Sequence, residues 1–285
     1  MVDAAQIDAA CRLADEAFDT FRATTNAERA NFLETVAAQI VELGDDLIVR
    51  AMAESGLPRA WKGNADAPSV SSNCSPRCCA RAPGPICGST ARCRTASPCR
   101  APDLRMRMIG LGPVAVFAAS NFPLAFSVAG GDTAAAFAAG CPVVLKAHSA
   151  HPGTSELVAR AVVKAVELSK LPTAVVPLLT GTGNGIGQGL VAHPAIKAVG
   201  FTGSRSGGTA LMAVAAARKP PIPVYAEMSS INPFFLFPHA LAARGDQIAA
   251  AFAASMTMGV GQFCTNPGLV LGLAGPDFDR FAAQA

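Results

Sequence analysis

The stretch PVVLKAHSAHPGTSELVARAVVKAVELSK, residues 142–170, decides the fold class of this chain. It opens with a short apolar run and continues, after a polar turn, in a segment whose apolar residues recur at helical spacing. The same order repeats, with apolar runs PVAVFAA, AVVPLLT, KAVGFT and PVYAE and further helical stretches at roughly 124–139, 183–192 and 204–217. Near-continuous apolar strands that alternate with helices are typical of a parallel sheet covered on both faces. The sequence therefore predicts an α/β fold with a doubly wound parallel sheet of the nucleotide-binding type.

The regions on either side of this repeating part have patterns of their own. Residues 3–54 are predicted to form amphipathic helices, with Thr25 or Asn26 as a helix N-cap and Gly56 at a helix end. Residues 247–285 hold a predicted helix, a glycine-rich turn and a predicted strand, LVLGLAG. We therefore expect four regions: N-terminal helices over 1–58, an aberrant segment over 59–102, a dinucleotide-binding sheet over 103–228, and the start of a second domain, cut short, over 229–285.

The composition excludes several classes of protein. Of the 285 residues, 51% are hydrophobic and 15% are charged, which fits an α/β protein better than a disordered or fibrous one. The formal net charge of +3 is small, and several of the arginines behind it lie in residues 73–100, without which the chain would not be basic, so we expect no nucleic-acid partner. The N-terminus lacks the basic start and apolar core of a signal peptide, and no apolar run is long enough to span a membrane. We therefore expect a cytoplasmic protein with no membrane partner and no disulfides.

Polar residues that follow the predicted strands are the candidates for a functional site. In an open parallel sheet, ligands bind beyond the carboxyl ends of the strands. Asn121 follows PVAVFAAS, Lys146 ends PVVLK, Glu227 ends PVYAE, and Cys264 lies in a glycine-rich turn further on. Taken singly, each has a structural explanation, as a buried thiol, a turn-forming asparagine or a solvated charge at a strand end. Their common position at one edge of the sheet favours a site.

Two glycine-rich stretches are candidates for binding a dinucleotide. TGTGNGIGQGL, residues 180–190, does not meet the spacing Gly-x-Gly-x-x-Gly in any register. GFTGSRSGG, residues 200–208, places Gly203 and Gly208 on either side of a predicted strand-to-helix turn. The free amides at such a helix N-terminus favour a pyrophosphate, so this second stretch is the better candidate.

Four blocks in order make the chain resemble the aldehyde dehydrogenase family: ASNFPLAF, PVVLKAHSAHPGTS, VGFTGS, and AEMSSINP followed by GQFCTNPG. The resemblance covers residues 103–274 closely and residues 1–58 loosely. It implies that Cys264 attacks an aldehyde and that Asn121, with the Cys264 N–H, holds the oxyanion. It also implies that Glu227 activates the water that releases the acid. The cofactor contacts that it implies lie in or next to the second and third blocks: Lys146, Ser149, Phe201, Gly203, Ser204 and Gly208.

Two departures from the commoner family wording bear on this site. EMSSI, residues 227–231, replaces ELGGK, which puts the close packing of the loop in doubt, and Glu227 is expected to be desolvated between an apolar strand and Met228. KAHS, residues 146–149, puts Ser149 where KPSE has an acid that binds a ribose hydroxyl. Without that carboxylate a 2′-phosphate is not repelled. The expected cofactor is therefore NADP or NAD, with NADP bound at least as well.

The second block is similar in wording to the branch of the family that oxidises α-ketoglutarate semialdehyde, and some NADP-linked fatty-aldehyde dehydrogenases look similar there. The resemblance therefore implies a small-molecule aldehyde as substrate, and homo-oligomers for the full-length relatives. Family members run to nearly twice 285 residues, so we expect a chain cut short in the catalytic domain and inactive as it stands. The alternative is a non-catalytic fragment that keeps part of a nucleotide-binding domain.

Residues 73–100 hold six of the nine cysteines and do not fit the surrounding pattern. The stretch has no Cys-x-x-Cys and no histidine, so no metal site is expected. Disulfides conflict with the expected compartment, and a basic patch without aromatic residues lacks what nucleic-acid modules use. The abrupt change of composition near Pro58 and Asp103 indicates two compensating frame slips in a GC-rich gene. We expect residues 59–102 to stay outside the packed fold, and a Cys/Arg-rich binding module is the alternative.

Overall fold

The computed structural model describes residues 2–59 and 108–285 of the chain. The predictions for residues 60–102, including the frame slips, lie outside these residues. None of the helices in the two described ranges is long and apolar enough to cross a membrane. The helices are α1 (Ala4–Arg22), α2 (Asn26–Glu42), α3 (Gly44–Ser55), α4 (Gly131–Ala138), α5 (Pro152–Leu168), α6 (Asn184–Ala192), α7 (Arg205–Ala217), α8 (Pro238–Thr257) and α9 (Pro276–Gln284). The strands are β1 (Val114–Phe117), β2 (Val143–Lys146), β3 (Leu178–Leu179), β4 (Ala198–Thr202), β5 (Val224–Glu227), β6 (Pro233–Leu236) and β7 (Leu269–Gly272).

The first five strands form one parallel sheet in the order β3-β2-β1-β4-β5. The central strand β1 places Val114 opposite Val143 of β2 and opposite Ala198 of β4. The chain therefore runs outward from β1 to one edge, crosses back, and runs outward to the other edge. Helices cover both faces of this sheet. The predicted α/β fold with a doubly wound parallel sheet is confirmed.

Alternation along the central strands separates two apolar cores. Ala115 and Phe117 of β1 belong to one core and Val116 belongs to the other, because successive side chains of a strand point to opposite faces. The core on the Val116 face packs α2, α4 and α5 against the sheet, and the opposite core packs α6 and α7. Helix α1 contributes residues to both cores. Three phenylalanines of the first core have ring centroids between 5.2 and 6.0 Å apart: Phe21, Phe32 and Phe137.

The ends of the N-terminal helices follow the sequence prediction. Thr25 is the N-cap of α2, where its side chain accepts from the Glu28 N–H and the Glu28 carboxylate accepts from the Thr25 N–H. This reciprocal pair is a capping box. Helix α3 ends at Gly56, whose φ of +72° is the left-handed conformation that glycine adopts at low cost.

The loop after β1 differs from the prediction. The sequence predicted a helix over roughly 124–139, but α4 begins only at Gly131. The preceding residues form a turn that closes on the end of β1, since the Ala119 N–H donates to the Phe126 carbonyl at 2.7 Å. The short apolar run AVVPLLT also forms less strand than predicted, because only Leu178–Leu179 pairs with β2.

A second sheet follows the first one. Strands β6 and β7 pair in parallel, with Pro233 opposite Leu269, and the connection between them is α8. One face of this pair packs on α8 and α9 around the buried residues Leu236, Leu241, Ala249 and Phe281. The sequence prediction missed β6 and α9, and its strand at 269–275 ends at Gly272.

The first turn of α5 is held by a carboxylate from another helix. Glu54, near the end of α3, accepts hydrogen bonds from the backbone N–H groups of Gly153 and Thr154, both at 2.8 Å, and from the Thr154 hydroxyl at 2.7 Å. Helix N-termini leave such N–H groups without partners inside the helix, and the helix dipole favours a negative charge there. Burial raises the pKa of Glu54, but the hydrogen bonds from Thr154 and Gly153 together outweigh it and leave the pKa below the ordinary value of 4.5.

Replacing Glu54 by alanine is expected to lower the free energy of unfolding by about 1–3 kcal/mol at pH 7, since a charged helix cap is lost. A glutamate with a lowered folded-state pKa stabilises the fold above its unfolded pKa and loses that contribution as the pH falls. The difference between the parent chain and Glu54→Ala should therefore shrink below pH 4.5. Urea unfolding at several pH values measures it.

Glu34, exposed on α2, provides the matched control. Glu34→Ala should change the free energy of unfolding by less than about 0.5 kcal/mol. A Glu54→Ala variant as stable as the Glu34→Ala control would contradict the capping role.

Candidate active site

The three predicted catalytic residues line one cavity at the carboxyl ends of β1, β4 and β5. This cavity of about 450 Å³, here called the thiol cavity, is lined by Asn121, Glu227 and Cys264. The sequence separates these residues widely. Asn121 and Glu227 come together because the carboxyl ends of parallel strands lie at one edge of a sheet, and Cys264 comes from a turn outside that sheet. The remaining lining residues are Ser120, Phe122, Thr202, Gly203, Ser204, Met228, Ser229, Ser230 and Gln262.

The turn that carries Cys264 contacts the end of α3 on one side and the loop after β1 on the other. The Gln262 side-chain N–H donates to the Ser55 carbonyl at the end of α3 at 2.9 Å. Phe263 stacks on Phe122, with ring centroids 4.8 Å apart. The Cys264 thiol itself is exposed. The thiol is therefore presented at the cavity by a turn whose neighbours are fixed.

Asn121 is tied to the same turn. Its side-chain nitrogen donates to the Gln262 carbonyl at 2.6 Å. A carboxamide nitrogen carries two hydrogens, so one can orient the group while the second donates to an acceptor inside the cavity. This contact joins the loop after β1 to the turn that carries the thiol.

Glu227 ends β5 and differs in part from expectation. Its backbone carbonyl accepts from the Gly203 N–H at 3.0 Å, which fixes the end of β5 against the end of β4. Glu227 is exposed among the residues that the structure describes. The prediction that its carboxylate is desolvated beside Met228 is therefore wrong. Met228 instead packs toward α7, since a Cβ on Gly208 would lie 2.5 Å from the Met228 sulfur.

A second cavity of about 340 Å³, here called the lysine cavity, lies beside the first. Of the six predicted cofactor residues, Lys146, Phe201 and Ser204 line it, and Gly203 and Ser204 line the thiol cavity. Ser149 is exposed and does not line either cavity. Gly208 is buried within α7, where it permits close packing rather than lining a cavity.

Lys146 and His148 supply the titratable groups of the lysine cavity. The Lys146 ammonium donates to the carbonyls of Ala147 and Gly181, both at 2.9 Å. Burial lowers the pKa of Lys146. Burial also lowers the pKa of His148, and the nearby His151 and Lys146 lower it further. The cavity therefore holds one cation and an imidazole whose charged form is disfavoured.

Two helix N-termini open into the lysine cavity. Gly183 and Asn184 line it at the start of α6, and Ser204 and Ser206 line it at the start of α7. Ser204 caps α7 by accepting from the Gly207 N–H at 3.2 Å. The stretch 180–190, which fails the dinucleotide spacing, thus contributes to the cavity through the start of α6. A search of the sequence for predicted helix N-termini, rather than for the dinucleotide spacing, would have identified this stretch as part of the site.

Two further polar residues near the site were not predicted. His151 is fully buried, its Nε2–H donates to the Ala119 carbonyl at 2.7 Å, and its Nδ1 lies 3.1 Å from the Ser155 hydroxyl oxygen. This contact fixes the strand end that precedes the Asn121 loop. Asp132 of α4 hydrogen-bonds Thr202, and burial raises its pKa. Within the described ranges, no group of three or more His, Cys, Asp and Glu side chains converges as a metal site needs.

The described cysteines should differ strongly in reactivity toward iodoacetamide. Cys264 is exposed, whereas Cys11 and Cys141 are buried, and burial together with nearby Asp8 raises the pKa of Cys11 to about 12. Since the thiolate is the reacting form, we expect Cys264 to be alkylated at least about 100-fold faster than Cys11 in the folded chain. Tryptic peptides 1–12, 108–146 and 245–280 each contain one of the three, so mass spectrometry can follow them separately. Equal rates at Cys11 and Cys264 would contradict this placement.

Comparison with known proteins gives a consistent family. The sequence profile of the aldehyde dehydrogenase family matches residues 1–274. The chain is 58% identical over 288 residues to an alpha-ketoglutaric semialdehyde dehydrogenase 2 from Azospirillum brasilense, covering 99% of this chain and 54% of that protein. It is 48% identical over 281 residues to an alpha-ketoglutaric semialdehyde dehydrogenase from Acinetobacter baylyi, covering 97% of this chain and 52% of that protein.

A solved structure of an NAD-dependent benzaldehyde dehydrogenase from Corynebacterium glutamicum is similar, with a TM-score of 0.79 and 26% identity. The match covers 100% of this chain and 58% of that one. The chain thus spans about half the length of the curated relatives it matches. The four sequence blocks, the sheet order and the profile match agree, and the chain belongs to the aldehyde dehydrogenase family.

Proposed function

We propose that this chain supplies the nucleophile, the oxyanion donor and the base for oxidation of an aldehyde to a carboxylic acid. The observation that carries the proposal is the thiol cavity, which is lined by Cys264, Asn121 and Glu227. These are the three groups that acyl chemistry on a cysteine needs: a nucleophile, a donor to the developing oxyanion and a general base. In the first step the exposed Cys264 thiol loses its proton to solvent water and the sulfur bonds to the carbonyl carbon. The carbonyl oxygen then becomes an oxyanion that Asn121 and the Cys264 N–H stabilise.

The lysine cavity fits a nicotinamide dinucleotide. Two helix N-termini and the Lys146 ammonium face it, and free N–H groups with a cation suit the phosphates of such a molecule. We propose that Lys146 donates to a ribose hydroxyl, since its nitrogen has a third hydrogen besides those on the carbonyls of Ala147 and Gly181. When bound, the dinucleotide supplies the hydride acceptor that turns the thiol adduct into a thioester.

Release of the acid is assigned to Glu227. Its exposed carboxylate accepts a proton from a water molecule, and the water oxygen bonds to the thioester carbon. The carbon–sulfur bond then breaks, the carboxylic acid leaves and the Cys264 thiolate is restored.

The proposed substrate is α-ketoglutaric semialdehyde. The names of the two curated relatives, at 58% and 48% identity, support it. A fatty aldehyde is the other candidate, since the second sequence block is similar in wording to that branch too. Turnover with each aldehyde distinguishes the two.

The roles of Cys264 and Asn121 are testable in a chimera. In it, residues 108–274 of this chain replace the matching stretch of the Azospirillum brasilense relative, which supplies the remaining length. Cys264→Ala should abolish aldehyde-dependent NADP reduction, because the bond to substrate cannot form. Asn121→Ala should lower kcat by about 10²–10³-fold, the usual cost of one oxyanion donor. Absorbance at the reduced nicotinamide band measures both.

Binding of NADP should be unchanged in both variants, since neither residue lines the lysine cavity. Calorimetric titration provides this control. Parent-like turnover in Cys264→Ala would show that another group is the nucleophile.

NADP should bind this chain at least as tightly as NAD. Ser149 stands where an acid would repel a 2′-phosphate, so the discrimination against NADP is removed. Calorimetric titrations of both molecules against the same preparation measure the ratio. A tenfold preference for NAD, about 1.4 kcal/mol, would show that a residue other than the one at position 149 sets the choice.

A further inference from the structure

We propose that Ser230 and Asn232 are positioning residues that brace the loop after Glu227 against the turn that carries Cys264. The proposal rests on the functions proposed above for Glu227 and Cys264, but it concerns how these two groups are held. The brace joins residues that are more than 30 positions apart in the sequence, since the contacts run from 230 and 232 to 264 and 266.

Asn232 uses every hydrogen of its side-chain amide on this turn. Its nitrogen donates to the carbonyl of Cys264 at 2.6 Å and to the carbonyl of Asn266 at 2.8 Å. Two donors on two carbonyls of one turn fix the orientation of both peptide groups. The first of these is the peptide that follows Cys264, so the main chain at the proposed nucleophile is held directly.

Ser230 orients that amide. Its hydroxyl lies 2.6 Å from the Asn232 side-chain oxygen and 3.3 Å from the Cys264 carbonyl. The donated hydroxyl hydrogen identifies the Asn232 oxygen as the acceptor, which leaves the nitrogen to face the two carbonyls. Ser230 stands where the commoner family wording ELGGK has a glycine, and a glycine offers no hydroxyl. The departure EMSSI therefore adds a contact to the loop rather than loosening it.

The backbone of the loop is consistent with a brace. Asn232 has a φ of +44°, a left-handed conformation that asparagine adopts more readily than most residues. Its neighbour Ile231 accepts from the Gly268 N–H at 2.8 Å, which closes the same turn from its other end. The loop is thus joined to both ends of the segment 264–268.

Hydrogen exchange of this chain tests the proposal without any turnover. Asn232→Asp keeps the size and the tolerance for positive φ but replaces both donors by a carboxylate that the two carbonyls repel. Asn232→Gly removes the amide while favouring positive φ. In both variants the Asn266 and Gly268 amides should exchange at least about tenfold faster, while the amides of β1 exchange as in the parent.

Ser230 provides a rescue test that an ordinary structural role would not satisfy. Ser230→Ala should speed exchange of the same two amides about threefold, and Ser230→Thr, which keeps the hydroxyl, should restore the parent rate. Lys170→Gly is the matched control, because Lys170 is the exposed residue at φ +55° after α5, away from this loop. It should leave the two amides unchanged.

The alkylation rate of Cys264, followed on tryptic peptide 245–280, gives an independent readout. In Asn232→Asp the alkylation rate of Cys264 should differ from the parent rate by at least about threefold, in the direction of the rate measured in the unfolded chain. Unchanged exchange in Asn232→Asp and Asn232→Gly, or equal exchange in Ser230→Ala and Ser230→Thr, would overturn the brace. If Asn232→Asp fails to fold, the Ser230 pair decides. The two proposals can fail separately. If the chimera's Cys264→Ala variant still oxidises the aldehyde while the exchange results above are as predicted, the proposed function is rejected and the brace is retained.

Discussion

The parallel direction of the five-stranded sheet is the constraint on which the rest of the structure depends. Because the strands run parallel, their carboxyl ends meet at one edge, and the loops that leave β1, β4 and β5 must share that edge. The two apolar cores on opposite faces keep the strands in register. The site is therefore a consequence of topology: Asn121 and Glu227 are neighbours in space because they follow strands on either side of β4.

Cys264 comes from outside this sheet and has to be brought to it. Three contacts do so: the Gln262 side chain to α3, the Asn121 side chain to the Gln262 carbonyl, and the Phe122–Phe263 stack. The Ser230–Asn232 brace adds a fourth from the loop after β5. These contacts are hydrogen bonds between uncharged groups and one ring contact.

Much of the fold was predictable because its signals are local. The apolar runs at 143–146 and 198–202, the capping box at Thr25 and the glycine after α3 each depend on a few adjacent residues. The late start of α4 was not predictable, since it depends on a hydrogen bond between Ala119 and Phe126. The site residues were predicted from strand ends and sequence blocks. The contacts of His151 and Asn232 link distant parts of the chain, and a single sequence carries no pattern for them.

The central claim is that a thiol, a carboxylate and a carboxamide from distant parts of the chain share one cavity. A short bismaleimide cross-link between Cys264 and a thiol introduced by Glu227→Cys tests it most directly, read by mass spectrometry of tryptic peptides 219–244 and 245–280. The account predicts that these two peptides are joined in the folded monomer, while Glu34→Cys on α2 gives no link to Cys264. Absence of the link in Glu227→Cys, with both thiols shown to be reactive, would contradict it.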